Sequence, residues 1–137
     1  MLRGITLAVL VVLVGGGWYG GLSFVTDPSG AGLGMTTAEL PDWPLVADYT
    51  LPGVALVVLF GLLPLVPIVL LLRGDPRGWP ATSAVGAVLV LWMLGQLVAI
   101  GLTFPGMQLT FLAVGLLLTA LGSAGLRLDE FSAHGRS

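Results

Sequence analysis

The side chains that carry most enzyme and metal chemistry are scarce in this 137-residue sequence. There is no cysteine, which excludes disulfides, thiolate metal sites and thiol redox chemistry together. The single histidine, His134, lies in a polar tail without Cys or His companions and reads as surface. Four carboxylates, Asp27, Glu39, Asp42 and Asp48, share one segment, but their spacings of 12, 3 and 6 match no calcium loop. No metal centre and no cofactor is expected from them. No nucleophile–base pair or phosphate loop assembles at a useful spacing either, so the chain reads as a non-enzyme.

Two other patterns remain. Trp92, Gln96, Ala99 and Thr103 recur at spacings of four, three and four and fall on one face of a helix. In an apolar helix a Gln ordinarily bonds a neighbouring helix. The other reading is a small outward-opening pocket for a lipid or isoprenoid-like ligand, lined by Trp92 and Gln96, with Thr103, Gln108 and Thr110 towards its mouth. The second pattern is small residues four apart: Gly16 with Gly20, Gly17 with Gly21, and more weakly Gly115, Thr119, Gly122 and Ser123. Such faces allow close backbone approach. They serve either packing within the chain or association into a homodimer or larger membrane complex.

The elements that hold these residues follow from composition. Hydrophobic residues make up 56% of the chain, charged residues only 9%, and the mean hydropathy is +1.04, which excludes an ordinary soluble domain. The net charge of −2 offers no basic patch for nucleic acid. The expected fold is all-α, a single four-helix transmembrane bundle. Its spans cover about 5–24, 51–72, 79–103 and 107–126, each long enough for a bilayer. Residues 78–126 carry no charge and are too long for one crossing, so they must reverse, and Pro105-Gly106 is the expected breaker. Pro64 and Pro67 predict a kink in the inner half of the second span. Trp18, Tyr19, Phe24, Tyr49 and Trp79 read as an interfacial aromatic belt.

All five cations are Arg: Arg3 before the first span, Arg73 and Arg77 between the second and third, Arg127 and Arg136 after the fourth. This partition predicts cytoplasmic N and C termini and a cytoplasmic turn at about 73–78. The tail at 127–137 is expected to fray. No span contains an ionisable side chain, which argues against an ion or proton relay. Residues 25–49 form a long, acidic extracytoplasmic loop. In it Asp27-Pro28-Ser29-Gly30 suits a type I turn, and Thr36 with Glu39 forms a capping box that starts a short helix at about 37–40. Leu33, Met35, Leu40, Trp43, Leu45 and Val46 are apolar enough for that loop to lie as a lid on the bundle or in the headgroup layer.

Asp27-Pro28-Ser29-Gly30, Leu33-Gly34-Met35 and Asp48-Tyr49-Thr50-Leu51-Pro52-Gly53 resemble small uncharacterised four-span membrane proteins of bacteria, especially actinobacteria. In overall layout alone the chain also looks like DoxX-type four-helix membrane proteins. The first resemblance implies a multi-pass protein of the bacterial cytoplasmic membrane and brings no activity with it. The expected role is structural or accessory, with the lipid bilayer as the constant partner; binding or transport of a hydrophobic ligand is the alternative.

Overall fold

The computed structural model describes residues 2–31, 50–101 and 105–136, and all regular structure among them is helical. Helix α1 spans Leu2–Thr26. The second span consists of α2 (Thr50–Leu56), a π-helical segment (Val57–Leu62) and α3 (Leu65–Leu72). Helices α4 (Gly78–Ile100) and α5 (Pro105–Arg136) complete the bundle. Four stretches, Leu2–Thr26, Thr50–Leu72, Gly78–Val98 and Gly106–Leu128, are long and apolar enough to cross a membrane. The capping box at Thr36 and Glu39, the helix at about 37–40, the apolar lid, Asp42, Asp48, Tyr49 and Thr103 lie outside the described residues.

Each helix packs antiparallel to the next. Helix α1 lies against the second span and α5, while α4 lies against α5 and, within the second span, mainly against α3. Both chain ends and the Arg73–Arg77 turn therefore share one end of the bundle, called here the terminal end. The core is drawn from all four spans: Leu10 and Leu13, Phe60 and Leu71, Leu89 and Met93, and Leu118. Large apolar side chains also cover the outside, with Val12 74% and Val98 89% exposed, a pattern that suits hydrocarbon and not water.

The small-residue faces are used up within the chain. A Cβ added at Gly17 would lie 2.5 Å from the Phe60 carbonyl carbon, and one at Gly21 would lie 2.8 Å from the Gly53 carbonyl oxygen. Gly16 and Gly20 face Phe111 and Leu56 at ordinary contact distance. The face on α5 receives α4: a Cβ at Gly86 would meet the Thr119 nitrogen at 2.5 Å, and one at Gly115 would meet Val90 Cγ2 at 2.9 Å. Ser83 Oγ donates across the same interface to the Thr119 carbonyl at 3.1 Å. Gly122 abuts Ser83, and Gly125 makes room for the Trp79 ring. Trp79 is thus a packing residue, as is the buried Phe24, which lies over Gly53; neither belongs to a simple interfacial belt.

Three boundaries differ from expectation. Helix α4 stops at Ile100 because Gly101, at φ 70° and ψ −167°, takes a conformation open essentially to glycine alone. Pro105 then opens α5, where its missing N–H costs nothing; residues 102–104 between the two helices lie outside the described residues. The tail expected to fray from residue 127 instead continues α5 to Arg136. No Pro or Gly interrupts Arg127 to His134, and Arg, Leu and Glu there are good helix formers.

The turns match their sequence signals more closely. Gly30 N–H donates to the Asp27 carbonyl at 3.1 Å, closing the expected turn. At the terminal end Gly74 (φ 71°) ends α3 with Asp75 N–H donating to the Leu70 carbonyl at 2.9 Å and Gly74 N–H to the Leu71 carbonyl at 3.1 Å, a Schellman closure. Asp75 Oδ1 then accepts the Arg77 N–H at 2.9 Å, and its carboxylate takes the Arg77 guanidinium with a shortest contact of 2.7 Å.

Candidate functional site

Hydroxyls inside the spans are mostly satisfied by their own helix. Thr6 Oγ1 donates to the Leu2 carbonyl at 2.8 Å, Thr82 Oγ1 to Gly78 at 2.7 Å and Thr119 Oγ1 to Gly115 at 2.8 Å. Two atoms break this rule. Trp92 Nε1 and Gln96 Oε1 are sealed from solvent without a hydrogen-bond partner, and they are the only such side-chain atoms among the described residues. They lie one turn apart on one face of α4. Leaving a buried donor or acceptor unmade costs about 1–3 kcal/mol each, and no bulk water reaches an apolar bundle to offset it.

The wall beside them is built by the irregular second span. Pro64 lacks the N–H that would bond the Phe60 carbonyl, and its ring would crowd that carbonyl. The chain answers by widening to π geometry over Val57–Leu62, with Leu63 N–H donating to the Val58 carbonyl at 3.0 Å. Val66 N–H takes the Leu63 carbonyl at 3.1 Å, which Pro67 leaves free. The irregularity thus begins at mid-span, ahead of both prolines, and runs through Leu63 and Pro64 into the inner half. Trp18 Nε1 crosses from α1 to donate to the Gly61 carbonyl at 3.0 Å. Gly61 permits this approach, since a Cβ there would lie 3.2 Å from the indole nitrogen.

From the π segment the buried Phe60 presents its ring edge-to-face to Trp92, centroids 6.2 Å apart at 73°. Single-turn π segments recur at functional sites. Because α4 packs on the second span mainly through α3, Phe60 is the aromatic contact between the two spans at the level of Trp92. The site therefore comprises one unpaired donor, one unpaired acceptor and an aromatic wall. Residues 4–26, 50–72 and 78–126 hold no Asp, Glu, Lys, Arg or His, so nothing at this depth offsets a ligand charge.

The other expected site residues are placed differently. Gln108 is 1% exposed and its Nε2 donates to the Gly101 carbonyl at 3.1 Å, tying α5 to the end of α4. Thr110 is exposed and donates to the Gly106 carbonyl at 2.6 Å within its own helix. Phe60 and Trp18 were not legible as site residues. The prolines flagged an irregular second span, but no residue signal placed the wide turn beside Trp92.

At the terminal end Asp75 and Arg77 form an ion pair in the turn between α3 and α4. Hydrogen bonds from the Arg77 side chain, then its backbone N–H, hold the Asp75 carboxyl down to about 2. No protein-family model, curated protein or solved structure matches this chain.

Proposed function

We propose that this chain is a four-span membrane protein, with its terminal end cytoplasmic, that binds an uncharged apolar ligand between α4 and the outer half of the second span. The observation that carries the reading is the pair of unpartnered buried atoms, Trp92 Nε1 and Gln96 Oε1, beside a π-helical turn. Buried polar groups are normally satisfied, and an exception calls for a specific explanation. A ligand group that pairs them supplies one. Arg3, Arg73, Arg77 and Arg127 all belong to the terminal end, which supports the orientation.

A purely structural or accessory role through helix association drew its support from the glycine faces. Those faces are filled by the chain's own helices, which weakens the case for a homodimer built on them. Native mass spectrometry of protein extracted in mild detergent tests the ligand reading. An apolar adduct is expected on the wild type and a roughly tenfold lower occupancy in Gln96→Leu, from loss of one buried hydrogen bond. Equal occupancy in both would contradict it.

A further inference from the structure

Resting on that reading, we infer that the ligand is a neutral long-chain alcohol, bound by its hydroxyl at Trp92 and Gln96. The two open valences are of opposite kind. An indole N–H only donates, and an amide oxygen only accepts. One ligand atom that satisfies both must accept and donate together. A hydroxyl does so: its oxygen accepts from Trp92 Nε1, and its proton goes to Gln96 Oε1. An ether or ketone accepts from Trp92 but leaves Gln96 Oε1 unpaired. An ionised carboxylate or a phosphodiester likewise only accepts and adds a charge, while a quaternary ammonium offers neither a proton nor an acceptor.

The surroundings select against charge a second time. The described spans hold no ionisable side chain at this level, so an ionised headgroup would be drawn out to the membrane surface. Gln96 lies four residues before the end of α4, roughly 6 Å along the axis, and Trp92 roughly 12 Å. The hydroxyl is thus held beneath the end of the helix, and the chain attached to it meets Phe60 and the apolar outer half of the second span.

The test uses the full chain in phosphatidylcholine nanodiscs and four probes with the same mid-chain diazirine: hexadecanol, hexadecyl methyl ether, hexadecanone and palmitate. After irradiation, adducts are counted on peptides covering Val57–Leu62 and residues 92–96. Hexadecanol is expected to label these peptides about tenfold more than the ether, the ketone or palmitate, the worth of one buried hydrogen bond. Trp92→Phe keeps an aromatic ring beside Phe60 and removes the N–H together with the pyrrole ring; Gln96→Leu keeps most of the bulk and removes the amide with its acceptor. Gln96→Leu is expected to bring alcohol labelling down to the level of the ether and leave ether labelling unchanged, whereas Trp92→Phe is expected to lower alcohol and ether labelling alike. Equal labelling by all four probes would overturn hydroxyl selection and leave the apolar site standing. Preference for the ketone would overturn the acceptor role of Gln96. Absence of adducts on these peptides with every probe would remove the site, and the function proposed above with it.

Discussion

The indole N–H of Trp18 in α1 donates to the Gly61 carbonyl in the π segment of the second span at 3.0 Å. This bond satisfies a carbonyl at the place where the proline-interrupted helix is least regular, and it fixes the turn that carries Phe60. Trp18→Phe should therefore lower stability by about 1 kcal/mol, within the range of measured side-chain hydrogen bonds in membrane proteins. Unfolding in bicelles measures it, and an unchanged midpoint would show that the bond contributes nothing.

The glycines divide into two groups with opposite expected behaviour. Gly17→Ala and Gly86→Ala place a methyl against backbone that cannot step aside, 2.5 Å from the Phe60 carbonyl carbon and from the Thr119 nitrogen. Each should destabilise by about 1–3 kcal/mol, as overpacking does. Gly15→Ala and Gly95→Ala meet nothing within 4 Å and should be close to neutral. Thermal aggregation midpoints of the four variants check this. A reversed order would mean that the small faces pack against something other than this chain.

Gly101 is a glycine for a different reason. No atom lies within 4 Å of a Cβ added there, yet its φ of 70° with ψ −167° is strained for any other residue. Gly101→Ala should cost about 1–3 kcal/mol through the backbone alone. Gln108→Leu, which takes the side-chain donor from the Gly101 carbonyl, should loosen the same connection. Faster hydrogen exchange confined to the end of α4 and the start of α5 is the expected signature in both, and uniform exchange rates would contradict it.

At the terminal end, Asp75 should titrate far below an ordinary aspartate. Its carboxyl is lowered from 3.8 to about 2 by Arg77, so the contribution of the pair is present above the ordinary value and fades as pH falls towards 2. The pair is solvent-exposed and its effect on global stability is small. Carbon-13 titration of the Asp75 carboxyl should give a depressed midpoint that rises in Arg77→Gln. Identical midpoints would dissolve the pair.

The four spans were legible because hydrocarbon imposes one requirement on every residue of a crossing, and composition records it. The Asp27–Gly30 turn and the Arg73–Arg77 break were legible because their chemistry is local. The partner of each small face was not: Gly17 and Gly122 look alike in sequence, and only tertiary packing sets one against Phe60 and the other against Ser83. Helix α4 ends a few residues earlier than expected because Gly101, a weaker sequence signal than Pro105, stops it, while Pro105 opens α5. At the site, the spacing of Trp92 and Gln96 marked the stripe. That Phe60 stands beside them depends on a π turn that Trp18 and Gly61 hold and Pro64 follows.

In the proposed function a bound apolar molecule completes Trp92 Nε1 and Gln96 Oε1. A density map of the detergent-extracted protein would show that molecule in place. Elongated non-protein density is expected between α4 and the outer half of the second span, with its head within hydrogen-bonding distance of both atoms, and it should be absent in Gln96→Leu. A water-sized peak bridging the two atoms, or side chains closed over them with no density between, would contradict the claim.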